Sequence, residues 1–207
     1  MTHEIQSAFG SVAVILLPFG VVLLLRYVFR FSHKRPPNQV VDYLRGVDPD
    51  DVGHLLDPAT EHYLRLNMSK EQFRKEQRHR LRLALEYIGR LAHNGLIVAE
   101  WGQYELKRNR RNPLVEEQET CLDLVSASLQ VRMCGFVLRA RIKLWLIGMA
   151  LLPFLAPPSV EKLTALGSTD LLEFYCAMTC AAVQLSQAYG GPFHKEMSGA
   201  LQLSSSS

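Results

Sequence analysis

SKEQFRKEQRHRLRLALEYIGRLAHNGLIVAEWGQYELKRNRRNP, residues 69–113, contains no proline before its last residue, and its reading decides the fold. Ser69 followed by Gln72 has the form of a capping box, in which each side chain satisfies the other residue's backbone N–H at a helix start. Leu81, Ala84, Leu85, Ile88, Leu91 and Ala92 recur three or four apart and share one helical face, while Arg78, Arg82 and Glu86 fall elsewhere on the wheel. The stretch is therefore predicted as one long helix ending at Asn112 and Pro113. Gly95 and Gly102 either weaken it or mark a close neighbour.

Beyond that break, LVEEQETCLDLVSASLQVRMCGFVLRARIKLWLIGMALL, residues 114–152, is again helical in pattern as far as Pro153. Leu122, Val125, Leu129, Met133, Phe136, Ala140 and Leu144 step by three or four and form a row expected to lie against the first long helix. Two long helices with a short turn make an antiparallel hairpin. Upstream, Pro36 and Pro37 stop any preceding helix, and Asn38 is suited to cap a short one ending near Gly46. Two Asp-Pro steps, at Asp48 and Asp57, suit short helices joined by turns over residues 47–68. Downstream, a short helix is expected at Val160 to Leu166 and a last one, begun by Ser168 or Thr169, over DLLEFYCAMTCAAVQLSQAYGG, residues 170–191. The fold class expected is all-α: an N-terminal transmembrane helix, then a long antiparallel helical hairpin with additional short helices. The divisions are an anchor at 1–31, a hinge with short helices at 32–68, the hairpin domain with its final packing helix at 69–191, and a disordered tail at 192–207.

The anchor rests on residues Ile5 to Leu25, among which none is charged. As a helix they span roughly 31 Å, close to the ~30 Å of a bilayer's hydrocarbon core. A cleaved signal peptide carries its cations before the apolar run; here MTHEIQS has none, and Arg26, Arg30, Lys34 and Arg35 follow. Retention of Lys and Arg on the cytoplasmic side places the N-terminus outside and the rest in the cytoplasm, with a bacterial inner membrane the favoured location. A second apolar run from Leu144 to Pro157 is short of the ~18–20 residues of a span and follows Arg139, Arg141 and Lys143 closely. It reads as a core or interfacial helix end with those cations at the headgroups rather than as a second crossing.

With 23 Lys and Arg against 20 Asp and Glu, the net charge of +3 speaks against a strongly basic nucleic-acid binder. Cys121, Cys134, Cys176 and Cys180 show no C-x-x-C pair and read as free, buried thiols, Cys176 and Cys180 among apolar neighbours on one helical face. Asp48, Asp50, Asp51, His54, Asp57, Glu61 and His62 gather metal-ligand atom types, but Val52, Leu56 and Ala59 stand where a calcium loop needs oxygen, and His54 and His62 lack zinc-helix spacing. They read as helix caps and solvated acids. No glycine-rich phosphate loop or nucleophile elbow occurs, and no cofactor is implied.

Two basic patches remain. RKEQRHRLR, residues 74–82, can face anionic lipid or solvent; KRNRR, residues 107–111, places Lys107, Arg108, Arg110 and Arg111 at the hairpin tip, where they are candidates for binding a partner. The functional expectation is a membrane-anchored, non-enzymatic interaction or scaffold protein, held by lipid at residues 5–25 and meeting a protein partner. The alternatives are a membrane-attached, metal-dependent enzyme using residues 48–62 and, more weakly, nucleic-acid tethering through the tip.

Overall fold

A computed structural model describes residues 36–109, 115–151, 159–164 and 168–201, all within the unit His33–Ser207. The expected anchor at 5–25 and its four following cations lie outside the described residues. Chain entry is irregular: 3-10 turns at Pro37–Gln39 and Val41–Tyr43 precede an extended Leu44. Asn38 lies inside the first turn, which starts from Pro36, so the short helix expected from Asn38 to Gly46 does not form.

The Asp-Pro steps work as helix starts. Asp48 accepts from the Asp50 amide at 2.9 Å and opens α1 (Pro49–Leu55). Asp57 accepts from the amides of Ala59 and Thr60 at 3.0 and 2.9 Å and opens α2 (Pro58–Asn67). Proline in the first turn costs nothing, because that amide has no intrahelical partner. Ser69 and Gln72 form the reciprocal capping box, at 3.3 and 3.1 Å, and α3 (Lys70–Asn109) follows.

Helix α3 and α4 (Val115–Leu151) run antiparallel as a hairpin about 60 Å long. Leu81, Ala84, Ile88, Leu91 and Ala92 are buried along the face expected of α3. The α4 seam is another matter. Cys121, Leu124, Ser128, Val131, Gly135, Leu138 and Ile142 are buried, with steps alternating three and four. In the row expected to pack, Leu122, Met133 and Leu144 are exposed and Val125, Leu129, Phe136 and Ala140 are only half-buried. The expected row lies one residue off at Leu122, Val125, Leu129 and Phe136 and two off at Met133, Ala140 and Leu144, and each residue turns a helix by about 100°.

Small residues explain which face won. A Cβ built on Gly102 would lie 2.8 Å from Val125 Cγ2, one on Gly95 3.2 Å from the Ser128 carbonyl oxygen, and one on Gly135 3.2 Å from Ala92 Cβ. These glycines let the two backbones approach, burying more apolar surface along the whole contact. Gly95 and Gly102 on α3, like Cys121, Ser128 and Gly135 on α4, repeat every seven residues, the spacing that keeps two shallowly crossed helices in register.

Helix α5 (Glu161–Thr164) and α6 (Ser168–Gln187) complete the layer. Leu171, Tyr175, Met178, Ala182 and Leu185 form the buried stripe of α6. Gly190, at φ +90°, then reverses the chain in a conformation that favours glycine. Residues 192–201 of the expected disordered tail (192–207) belong instead to α7 (Gly191–Leu201). Met197 and Leu201 are buried, and Phe193 packs edge-on to the fully buried Trp101 at 5.7 Å, a burial large enough to hold a short helix. Among the described residues there is no strand.

Candidate membrane and partner interface

Helix α4 is apolar on two faces, and only one is used inside the domain. The inward face carries the seam. Outward, Leu122, Met133, Val137, Leu144, Ile147 and Leu151 are between 39 and 72% exposed. At about 100° per residue, Met133, Val137, Leu144, Ile147 and Leu151 fall within one narrow stripe, roughly 27 Å long. Isolated exposed apolar side chains are ordinary; an aligned row of large ones marks a surface built to be covered.

The charge on α4 is equally one-sided. From Leu124 to Leu151 it has no acidic residue and four cations. Arg132 is buried, and the Arg139 guanidinium lies against Gly89, where a Cβ would be 3.6 Å from Cζ. Of the three interface candidates on this helix, Arg139 is thus packed between helices, while Arg141 is half-exposed and Lys143 exposed, one on each side of the apolar stripe.

The first basic patch has a structural task. Arg74 and Arg78 each donate from Nη2 to the Met149 carbonyl at 2.6 Å, in the last turn of α4. Cations there satisfy carbonyls left without helical partners and offset the negative end of the helix dipole. Arg80, buried, donates to the carbonyls of Leu55 and His54 at 3.0 and 3.3 Å and closes α1 in the same way. Lys75, His79 and Arg82 remain exposed.

At the tip, Arg110 and Arg111 lie outside the described residues and Lys107 is exposed. Arg108 is engaged: its Nη1 donates to the Tyr189 hydroxyl at 2.7 Å, and its Cζ stands 5.4 Å from that ring's centre. Burial, then a hydrogen bond to the buried Glu105, raises the Tyr189 hydroxyl far above its ordinary range. Arg108 belongs to a structural group that fastens α3 to the end of α6.

The acidic stretch disperses. Asp48 and Asp57 cap helices, Asp51 meets the Tyr87 hydroxyl, and Asp50, His54 and His62 are exposed. Glu61 is buried, accepting from the Val160 amide and from Arg65 Nη2 at 2.6 Å, and so ties α2 to the start of α5. Among the described residues no three His, Cys, Asp or Glu side chains are grouped to hold one metal ion.

The cysteine expectation needs correction for two of four. Cys121 is buried and Cys134 half-buried, but Cys176 and Cys180 are exposed, because the apolar side of α6 passes through Tyr175, Met178 and Ala182. Cys180 lines a shallow depression of about 340 Å³ with Thr179, Val183, Gln184 and Gln187, all from one helix. That lining offers no converging acid, base or second ligand.

Among the buried polar residues that the sequence reading does not single out, Asn94 joins the most elements. Asn94 accepts from the Arg45 amide and donates to the Arg45 carbonyl, both at 2.8 Å, and also donates to the Tyr175 hydroxyl at 3.1 Å. The signal available was a lone amide inside LAHNGLIVA, where a buried polar side chain must find partners. It joins the chain's entry, α3 and α6 at one point. Compared with protein-family models, curated proteins and solved structures, the chain matches none.

Proposed function

We propose that the protein is a membrane-anchored, non-enzymatic helical scaffold, held by residues 5–25 with its helical domain in the cytoplasm, and that the outward face of α4 is the surface through which it works. The observation that carries this reading is the aligned row from Met133 to Leu151, left uncovered although the opposite face of the same helix is packed along its length. The uncharged run from Ile5 to Leu25 supports the anchor. The use of Asp48, Asp57 and Glu61 in holding helices favours a scaffold over catalysis by that stretch.

The test has two measurements on the full chain. Carbonate washing of membranes should leave it in the pellet, and a photo-crosslinking amino acid in place of the exposed Met133 should give adducts with a membrane component. Release by carbonate removes the anchor; absence of adducts from intact membranes removes α4 as the working surface.

A further inference from the structure

We infer that the C-terminal half of α4's outward face, from Met133 to Leu151, seats in the headgroup region of an anionic lipid leaflet, with Arg141 and Lys143 gripping lipid phosphates on either side. This rests on the anchored reading above and names what covers the face.

Three observations select lipid. The first is charge: α4 has no Asp or Glu beyond Asp123, and its two accessible cations flank the apolar stripe. An amphipathic surface with basic margins and large apolar side chains between them is what an anionic interface binds, the stems of Arg and Lys lying along the apolar surface while their heads stay wet. A second copy would bring Arg141 and Lys143 against the same cations, without acids along the stripe to answer them.

The second is connectivity. Ten residues, or eleven backbone steps, lie between Leu25 and Pro36. At no more than ~3.6 Å per residue they reach about 40 Å. A tether of that length keeps the domain at an effective concentration on the order of millimolar near the bilayer, so a face of weak intrinsic affinity is seated.

The third is depth. Gln118–Leu151 is long and apolar enough to cross a membrane by itself, with a mean hydropathy of 1.4 in its most apolar window. It is bound along its length to α3, whose Glu71, Lys75, Arg82 and Glu86 are exposed. Carrying those charges into hydrocarbon is unfavourable even on the most lenient insertion scale. The helix therefore lies along the surface and does not cross it.

The experiment uses the full chain with Leu144→Trp and Trp145→Phe, placing a fluorophore at an exposed position; the native Trp101 is fully buried and serves as the constant background. It is reconstituted in phosphatidylcholine vesicles with and without phosphatidylglycerol, using lipids brominated near the headgroup end or near the chain end. The expected result is quenching by the shallow bromines when phosphatidylglycerol is present, and much less by the deep ones. Arg141→Gln and Lys143→Gln should each lower the docked-to-undocked ratio roughly fivefold. Ile147→Trp, also exposed, repeats the reading at a second site.

An unquenched fluorophore in both lipids overturns the inference, and doubled mass in detergent would then assign the face to a second copy. Equal quenching without phosphatidylglycerol overturns the anionic part, and stronger deep quenching overturns the surface placement. Flotation separates the two readings. A chain that floats with pure phosphatidylcholine but is quenched in neither lipid keeps its anchor and loses this site; one that floats only with phosphatidylglycerol, quenched, keeps the site and loses the anchor.

Discussion

Asn94 closes a two-way clasp on Arg45, accepting from its amide and donating to its carbonyl at 2.8 Å each, in the manner of a strand pair made by one side chain. The clasp is 49 residues long in sequence, and Asn94 itself is fully buried. Asn94→Leu removes the amide but leaves the Arg45 backbone groups and the Tyr175 hydroxyl without it. The buried Tyr175 hydroxyl so stranded costs about 1–3 kcal/mol, and the part-buried Arg45 groups add less. Chemical denaturation should show a loss of about 2–4 kcal/mol, and hydrogen exchange should show the Arg45 amide released; an unchanged midpoint would mean the clasp is decorative.

Glycine contacts along the hairpin give predictions of opposite sign. Gly102→Ala must push Val125 Cγ2 away from 2.8 Å, and Gly95→Ala meets a backbone oxygen at 3.2 Å. Overpacking of this kind costs about 1–3 kcal/mol, more than the ~1 kcal/mol that alanine contributes to helix formation. Gly148, with nothing within 4 Å, lacks that obstacle. Gly148→Ala should raise the melting temperature and the other two lower it, as read by calorimetry on the three variants.

Acid stability follows from Asp57. Its hydrogen bonds from the Thr60 hydroxyl and amide, and from the Ala59 amide, hold its carboxyl below the ordinary value of 3.8. The unfolded chain then binds the proton first, so the cap's contribution is fully present above pH 3.8 and is lost as the pH falls from there through the lower folded value. The melting temperature should drop over that acid range, and Asp57→Ala should flatten the drop while lowering the plateau above it. A variant with an unaltered acid limb would remove Asp57 as its source.

Thiol chemistry should sort the four cysteines by position. Cys176 and Cys180 are exposed, but burial of its surroundings, then Cys180 and Asp50, raise the Cys176 thiol above its ordinary 9.0. At mildly alkaline pH, iodoacetamide followed by mass spectrometry should modify these two ahead of Cys134, Cys176 more slowly than an unhindered thiol, and Cys121 only in denaturant. Early modification of Cys121 would place the α3–α4 seam elsewhere.

Much of the all-helical hairpin was legible in local chemistry. Ser69 with Gln72, the two Asp-Pro steps and the row from Leu81 to Ala92 each specify a start or a face with a single physical solution. Helix α4 was legible as a helix but not as a face. Apolar residues surround it on most sides, so periodicity alone cannot choose between the row through Leu122 and Met133 and the one through Cys121 and Ser128. The deciding signal was residue size: Cys121, Ser128 and Gly135 share the seven-residue interval of Gly95 and Gly102. Met133 and Leu144 of the outward row, now the candidate interface, were expected in the packed row by the same ambiguity. Helix α7 was hidden because GPFHKEMSGAL has few apolar residues, and its stability comes from Trp101, about 90 positions earlier.

The position of the Asn94 clasp sets how the domain is presented. The entering chain is pinned to α3 at Asn94, with about 36 Å of that helix on one side and about 22 Å on the other. His93 at the Tyr43 carbonyl holds the same entry, and the hairpin extends from it both ways, one end finished by the Arg74 and Arg78 bonds to Met149 and the other by Arg108 on Tyr189. Tilt of the hairpin raises one end as it lowers the other, so anything seated at the Leu151 end also dictates how far the opposite tip stands from it.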